Sequence, residues 1–363
     1  MKIKTKTKLG RVTVWVAAVL AVLTLLGAFA ALIPRRDKSP PEFPTFGSDV
    51  VLAKLTDLPG VKNGEVTAAS YANGMHFAAF DHADADKTLL LASKDGKSWT
   101  NVLDHPAVSG VMPYDGIIDE IVYVNDTWFF GFFEFGNAAH GIVFRFRPES
   151  GDNSGLGGEW QASFDGKFET GRATSMDVID GTLYLVTENG HLYRKTKGGA
   201  WYAANEAIPT PFAGYRVFDL AKCGDKFLAL GEDECGTVLF TASSMTGTWT
   251  VQRIDGIKAN RFDTTDTACF IACEDGKLVY SSDLSTWKVS RMADNVSFTE
   301  FFTFGSKHYA IGSNDTYGVL YESTNGAAWE RVASVDEPLS SVSVTASEAL
   351  LYGNRGGVYR LTK

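Results

Sequence analysis

The sequence predicts an all-β chain: a seven-bladed β-propeller closed by an N-terminal strand and preceded by one N-terminal transmembrane helix. Three observations predict it. Six tryptophans, Trp99, Trp160, Trp201, Trp249, Trp287 and Trp329, recur at intervals of 38 to 61 residues, and five of them end a seven-residue frame. Strand, turn and strand surround each copy, and a period of about forty residues marks a propeller blade. Ahead of the repeats, the 22-residue run from Val12 to Ile33 holds no charge.

That run, at ~1.5 Å rise per residue, crosses the ~30 Å hydrocarbon core of a bilayer. Lys2, Lys4, Lys6, Lys8 and Arg11 precede it, and Arg35, Arg36 and Lys38 follow. The more basic end stays in the cytoplasm. Residues 1–11 therefore read as a cytoplasmic basic segment, 12–33 as an uncleaved signal anchor, and the remainder as extracytoplasmic on a single-pass cell-membrane protein. The alternative is a signal peptide cleaved near Ala28 to Ala30, which gives a secreted protein. Residues 34–48 include Pro40, Pro41 and Pro44 and read as a short, stiff spacer.

From 49 to 363 the pattern is short alternating strands separated by Gly, Asn and Asp turns. Each unit supplies a semi-polar inner strand (Ser175 to Ile179), an apolar second strand (Thr182 to Val186), a third strand (His191 to Arg194) and an outer strand that starts at the tryptophan frame. The second strands Met75 to Phe80, Thr127 to Phe132, Lys226 to Leu230, Cys269 to Cys273 and His308 to Ile311 are nearly continuous in apolar residues, as strands covered on both faces require. The units run 59–108, 109–168, 169–212, 213–257, 258–295, 296–337 and 338–363. The last lacks a tryptophan frame and outer strand. Val50 to Thr56 stands alone before the first unit and supplies that strand, so 49–58 closes the ring and removes an exposed edge. The long second unit, with its insertion Glu149 to Gly158, leaves six or eight blades open as alternatives.

The five frames, Ser93 to Trp99, Lys195 to Trp201, Ser243 to Trp249, Ser281 to Trp287 and Ser323 to Trp329, vary around Ser-x-Asp-Gly-x-x-Trp. The Gly and Asn positions suit a tight turn, the hydroxyls and Asp95 or Asp283 can bond its backbone, and the indole packs between blades. The frames are structural. They resemble a shortened Asp-box, the bacterial neuraminidase repeat of the sialidase-like propeller superfamily, over essentially Val50 to Lys363. The resemblance implies the fold; its members include sialidases, photosystem assembly propellers and sorting receptors, so it does not choose a function. Sialidase members carry an early Arg-Ile-Pro segment that this chain lacks. Its nearest text, Arg145 to Pro148, falls on a third strand.

Charge and composition narrow the partners. The formal charge is −9; without Lys2, Lys4, Lys6, Lys8, Arg11, Arg35 and Arg36, 27 basic residues face 43 acidic ones, a net −16. Such a body repels phosphate backbones, so no nucleic-acid partner is expected. Six scattered histidines, with no metal-binding spacing, predict no metal, and no cofactor is expected. Asp81, Asp84 and Asp86 have calcium-like spacing but lack the glycine and distal Glu of a hand-type loop, and read as a solvated acidic loop. Gly151 to Gly158 lacks the Lys-Ser/Thr ending of a phosphate loop.

Ligand contacts are expected where loops meet the channel mouth. Arg172, Arg216 and Arg261 each begin an inner strand and can converge there as an anion or acidic-sugar site. The alternative for them is ion pairing with acids such as Asp219, Asp263 and Glu169. Tyr114, Phe212, Tyr215 and Tyr317 are candidates for stacking on a ligand, with loop packing as the alternative. Glu134, Asp115 and Glu120 are the candidate general acids or bases. Cys269 and Cys273 lie ~13 Å apart along one strand at ~3.3 Å per residue, too far to bridge. Cross-blade pairs Cys223–Cys269 and Cys235–Cys273 are expected, with four free thiols as the alternative. The sequence thus points to a membrane-anchored binding or scaffolding module for a surface glycan or envelope protein. A glycoside hydrolase or lyase for an acidic sugar, and an envelope assembly factor, are the alternatives.

Overall fold

The computed structural model describes residues 51–61, 64–81, 88–112, 116–134, 140–150, 155–164, 173–187, 190–195, 201–203, 212, 214–292 and 295–362. The membrane run and spacer lie outside these residues; among the described ones no helix is long and apolar enough to cross a membrane. Among the described residues, twenty-eight strands form seven four-stranded antiparallel sheets, which settles the count at seven blades.

The inner strands are Glu65–Ala72 in blade 1, Gly116–Val124 in blade 2, Ala173–Ile179 in blade 3, Arg216–Cys223 in blade 4, Ala259–Thr264 in blade 5, Ser297–Phe304 in blade 6 and Leu339–Val344 in blade 7. Closure occurs as expected. Val51–Asp57 pairs antiparallel with Gly357–Thr362, from Val51 opposite Thr362 to Asp57 opposite Gly357, and becomes the outer strand of blade 7. The second strands carry the core: Met75–Asp81, Cys269–Cys273 and Ala349–Gly353 are buried almost throughout.

The tryptophan frames form the turn their sequence requires. At Ser93 to Trp99, the Asp95 carboxylate accepts the backbone N–H groups of Lys97 (2.8 Å) and Ser98 (2.7 Å), and the Trp99 indole donates to the Gly96 carbonyl at 3.0 Å. Those two backbone donors hold the Asp95 carboxyl down to about 2. Asn325 accepts from Ala327 and Ala328 in the same way at Ser323 to Trp329. Gly96 (φ 69°) and Gly326 (φ 70°) are left-handed, and a Cβ there would meet Leu350 or Phe270 of the preceding blade. In blade 5 the equivalent residue is Leu284 at φ 58°, and the buried Trp287 indole N–H there finds no acceptor. The indoles seat in two ways. Trp99 of blade 1 reaches Tyr352 of blade 7 edge-on at 5.9 Å, and Trp249 meets Phe212, which precedes its blade, at 5.2 Å. Trp160 instead stacks within blade 2, on Phe146 at 4.2 Å.

Candidate functional site

All seven inner strands carry a bulge at the same place. Pairing with the second strand skips one residue in each: Thr67, Asp119, Thr174, Phe218, Asn260, Thr299 and Ser340. A bulge re-aims a side chain, and all seven skipped residues line one cavity of about 520 Å³ at the channel mouth. Several also tie neighbouring blades together. Thr67 donates to the Ile118 carbonyl (2.6 Å), Thr174 to Val217 (2.5 Å), Asn260 to Phe298 (2.9 Å) and Thr299 to Leu339 (3.4 Å). Each acceptor is the residue just before the next blade's bulge, so the shape of the mouth and the joining of blades come from one device.

The residues that follow these bulges include Glu120, Asp219, Arg261 and Glu300. Arg261 Nη2 of blade 5 lies 3.5 Å from Glu120 Oε1 of blade 2, so this pair crosses the channel and forms the cavity floor. Asp219 accepts the Phe262 backbone N–H at 2.9 Å, and Asp177 accepts the Ser175 hydroxyl. One guanidinium therefore faces Glu120, Asp177, Asp219 and Glu300. Burial pushes Glu120 and Asp219 well above the carboxylate range, raises Asp177, and lifts Glu300 to about 7; Arg261 opposes each rise. Burial also raises Asp263, to about 6. Arg261 itself is held more firmly charged, chiefly by Glu120.

The rim above is charged as well. Arg216 donates to Glu232 at 2.8 Å with its guanidinium lying 5.8 Å from the centre of the Phe218 ring, and Glu65, Asp81 and Glu274 complete the lining.

The candidate residues divide accordingly. Arg216 and Arg261 meet at this cavity, but each is paired with a carboxylate, and the charged groups of the described wall are mostly acidic. Arg172, Tyr114 and Asp115 lie outside the described residues, as do Asp84 and Asp86. Tyr215 packs edge-on against Phe240 at 5.1 Å, and Phe212 is fully buried against Phe240 and Trp249. Tyr317 packs on the core between blades 5 and 6. These three aromatics do not line the mouth. Glu134 ends the second strand of blade 2, opposite Gly116. All four cysteines are free, so neither Cys223–Cys269 nor Cys235–Cys273 is a bridge in this structure. Cys235 sits exposed on a turn while Cys273 is fully buried; Cys223 and Cys269 share one apolar cluster, where burial raises both thiols. Among the described residues no group of three or more His, Cys, Asp or Glu is placed to hold a metal.

The inner-strand acids Asp177 and Glu300 are not among the candidates that the sequence suggests. The missing signal is alignment: setting the seven inner strands in register on their bulges brings Glu120, Asp219, Arg261 and Glu300 to one level.

No family model matches the sequence, and no curated protein matches it. Solved structures match the fold. YCF48 from Cyanidioschyzon merolae aligns with a TM-score of 0.62 at 13% identity, over 86% of this chain and 98% of that one. YCF48 bound to D1 peptide gives 0.61 at 14%, over 91% and 100%. Virginiamycin B lyase from Staphylococcus aureus, in a catalytically inactive form with quinupristin, gives 0.61 at 11%, over 87% and 100%. At these identities the likeness is one of fold.

Proposed function

We propose that this propeller is a membrane-anchored, extracytoplasmic binding module that takes a segment of a partner protein at its channel mouth. The observation that carries the reading is the 520 Å³ concave mouth, walled by one bulge residue per blade and rimmed by Glu65, Asp81, Glu232 and Glu274. A floor closed by Arg261 and Glu120 makes it a bowl, suited to a chain end or loop carrying cationic or hydrogen-bond-donating groups. The fold neighbour solved bound to D1 peptide supports a polypeptide as the ligand class. A partner in an envelope assembly fits this reading. The alternative, a hydrolase or lyase for acidic sugars, sits less well with a carboxylate-lined mouth, which repels an anionic substrate.

Two experiments test it. Affinity purification of the intact chain from its own membranes should recover a partner that is lost in the charge-reversal variant Glu65→Lys/Glu274→Lys; an unchanged partner set contradicts the mouth as the contact. Alkaline carbonate extraction should leave the chain in the membrane pellet, and quantitative release would contradict the anchor formed by Val12 to Ile33.

A further inference from the structure

A second cavity, of about 650 Å³, opens between blades 2 and 3. Its lining comes from the turn ends of the first two strands of each blade (Val124, Thr182) and from the third strands, His140–Pro148 and Leu192–Lys195. The mouth is built from the starts of inner strands, so this cleft lies on the opposite face of the ring. Its charge is also opposite. Arg145, Arg147, Arg194 and Lys195 line it, with no carboxylate side chain among the described lining residues.

We propose that this cleft is a binding site for a small, multiply charged oxyanion of the phosphate- or sulfate-ester class. Four cations gathered on the walls of one cleft repel one another, the more so in a body that is acidic elsewhere; a polyvalent anion removes that repulsion. Arg145 and Arg147 are alternate residues of one strand, so their guanidinium forks leave the same face and can grip two oxyanion groups bidentately. Lys195 reaches across from blade 3, its ammonium 5.4 Å from the centre of the blade 2 Phe129 ring. Phe129 and Leu183 supply an apolar floor for the ligand's organic frame. Glu159 approaches Arg145 at 3.6 Å with a largely exposed side chain, and Asp180, next to Gly181 of the lining, is held by Lys222 at 2.6 Å. Burial, with the nearby Arg145 charge, lowers Lys195 to about 8, and an anion that enters raises its proton occupancy above neutral pH. The volume suits a ligand of drug-like size rather than a flat surface. This site shares no residue with the mouth, so a failed partner assay there leaves it untouched.

The test is calorimetric titration of the full chain in non-ionic detergent with inositol hexakisphosphate and with sucrose octasulfate. At least one should bind saturably, and which one does identifies the ester class. Arg145→Gln/Arg194→Gln should weaken binding at least tenfold, whereas the equal-charge control Lys288→Gln/Arg291→Gln on the outer strand of blade 5 should not. At pH 8 binding of sucrose octasulfate, which does not titrate there, should take up a fraction of a proton, read from buffers of different ionisation enthalpy; Lys195→Arg should bind without that uptake. No saturable binding of either probe, or equal weakening by the two double variants, overturns the proposal.

Discussion

The two charged regions of this ring differ in how their charges are answered. At the channel mouth the floor charges stand on bulged inner strands, with Glu120 and Asp219 buried and Arg261, Asp177 and Glu300 half-buried, and they answer one another across the ring, as Arg261 answers Glu120. In the cleft between blades 2 and 3 the charges stand on third strands, with Arg147 and Arg194 exposed and Arg145 and Lys195 half-buried. The same blade architecture therefore makes one set of charges part of the fold and leaves the other set facing an open cleft. Sequence proximity gives no warning of this: Arg261 and Arg145 look alike until the bulge places one of them in the channel.

Removing Arg261 should break the distinction most severely. Arg261→Met leaves the buried acids Glu120 and Asp219 and the half-buried Asp177 and Glu300 without their counter-charge, a loss on the order of 2–3 kcal/mol at neutral pH once the partial exposure of Arg261 is allowed for. Arg194→Gln in the cleft should stay within about 0.5 kcal/mol of the parent. Denaturant unfolding of both variants compares the regions directly, and equal losses would erase the contrast.

The pH dependence sharpens it. Glu300 has a folded value of about 7 against an ordinary 4.5. A raised carboxyl contributes stability that is fully present below its unfolded value and lost as pH rises through the folded one. The mouth should therefore weaken between pH 4.5 and 7, and Glu300→Gln should flatten the stability profile in that window. His76, at the seam between blades 1 and 7, works in the other direction. Its Nδ1 sits 2.9 Å from the Ser343 hydroxyl, and burial lowers it to about 4 from 6.5. Its contribution is present above pH 6.5 and lost as pH falls toward 4, so His76→Asn should selectively reduce acid sensitivity there. Unfolding midpoints across about pH 4–8 for the two variants separate the opposing slopes.

A smaller effect than those of the buried charges belongs to the turns, which serve neither region. Asp95→Ala removes the acceptor of two backbone N–H groups and should cost about 1 kcal/mol without altering ligand or partner binding. A larger effect on binding than on thermal midpoint would mean that the frames do more than hold blades.

The ring itself was legible because its signals are local and repeated. Tryptophan spacing marks the blades, and the orphan strand expected at Val50 to Thr56 marks the closure, observed as Val51–Asp57 paired with Gly357–Thr362. The mouth was less legible. The sequence sets Arg216 and Arg261 at inner-strand starts with Asp219 as a candidate partner, but which side chain enters the channel depends on a bulge that skips one residue per strand. Tyr215 and Phe212 looked like ligand platforms because loops bear ligands; tertiary packing on Phe240 turned them into core. The basic cleft was invisible, since Arg145 and Arg194 are 49 residues apart and meet only through packing of adjacent blades.

The central claim is that a protein partner contacts the acidic mouth. Photoreactive residues placed singly at Glu65 on the mouth rim and at Thr182 in the cleft, activated in intact cells, test it directly. A discrete protein adduct is expected from position 65 and none from position 182. Adducts from both positions alike, or from 182 alone, would contradict it.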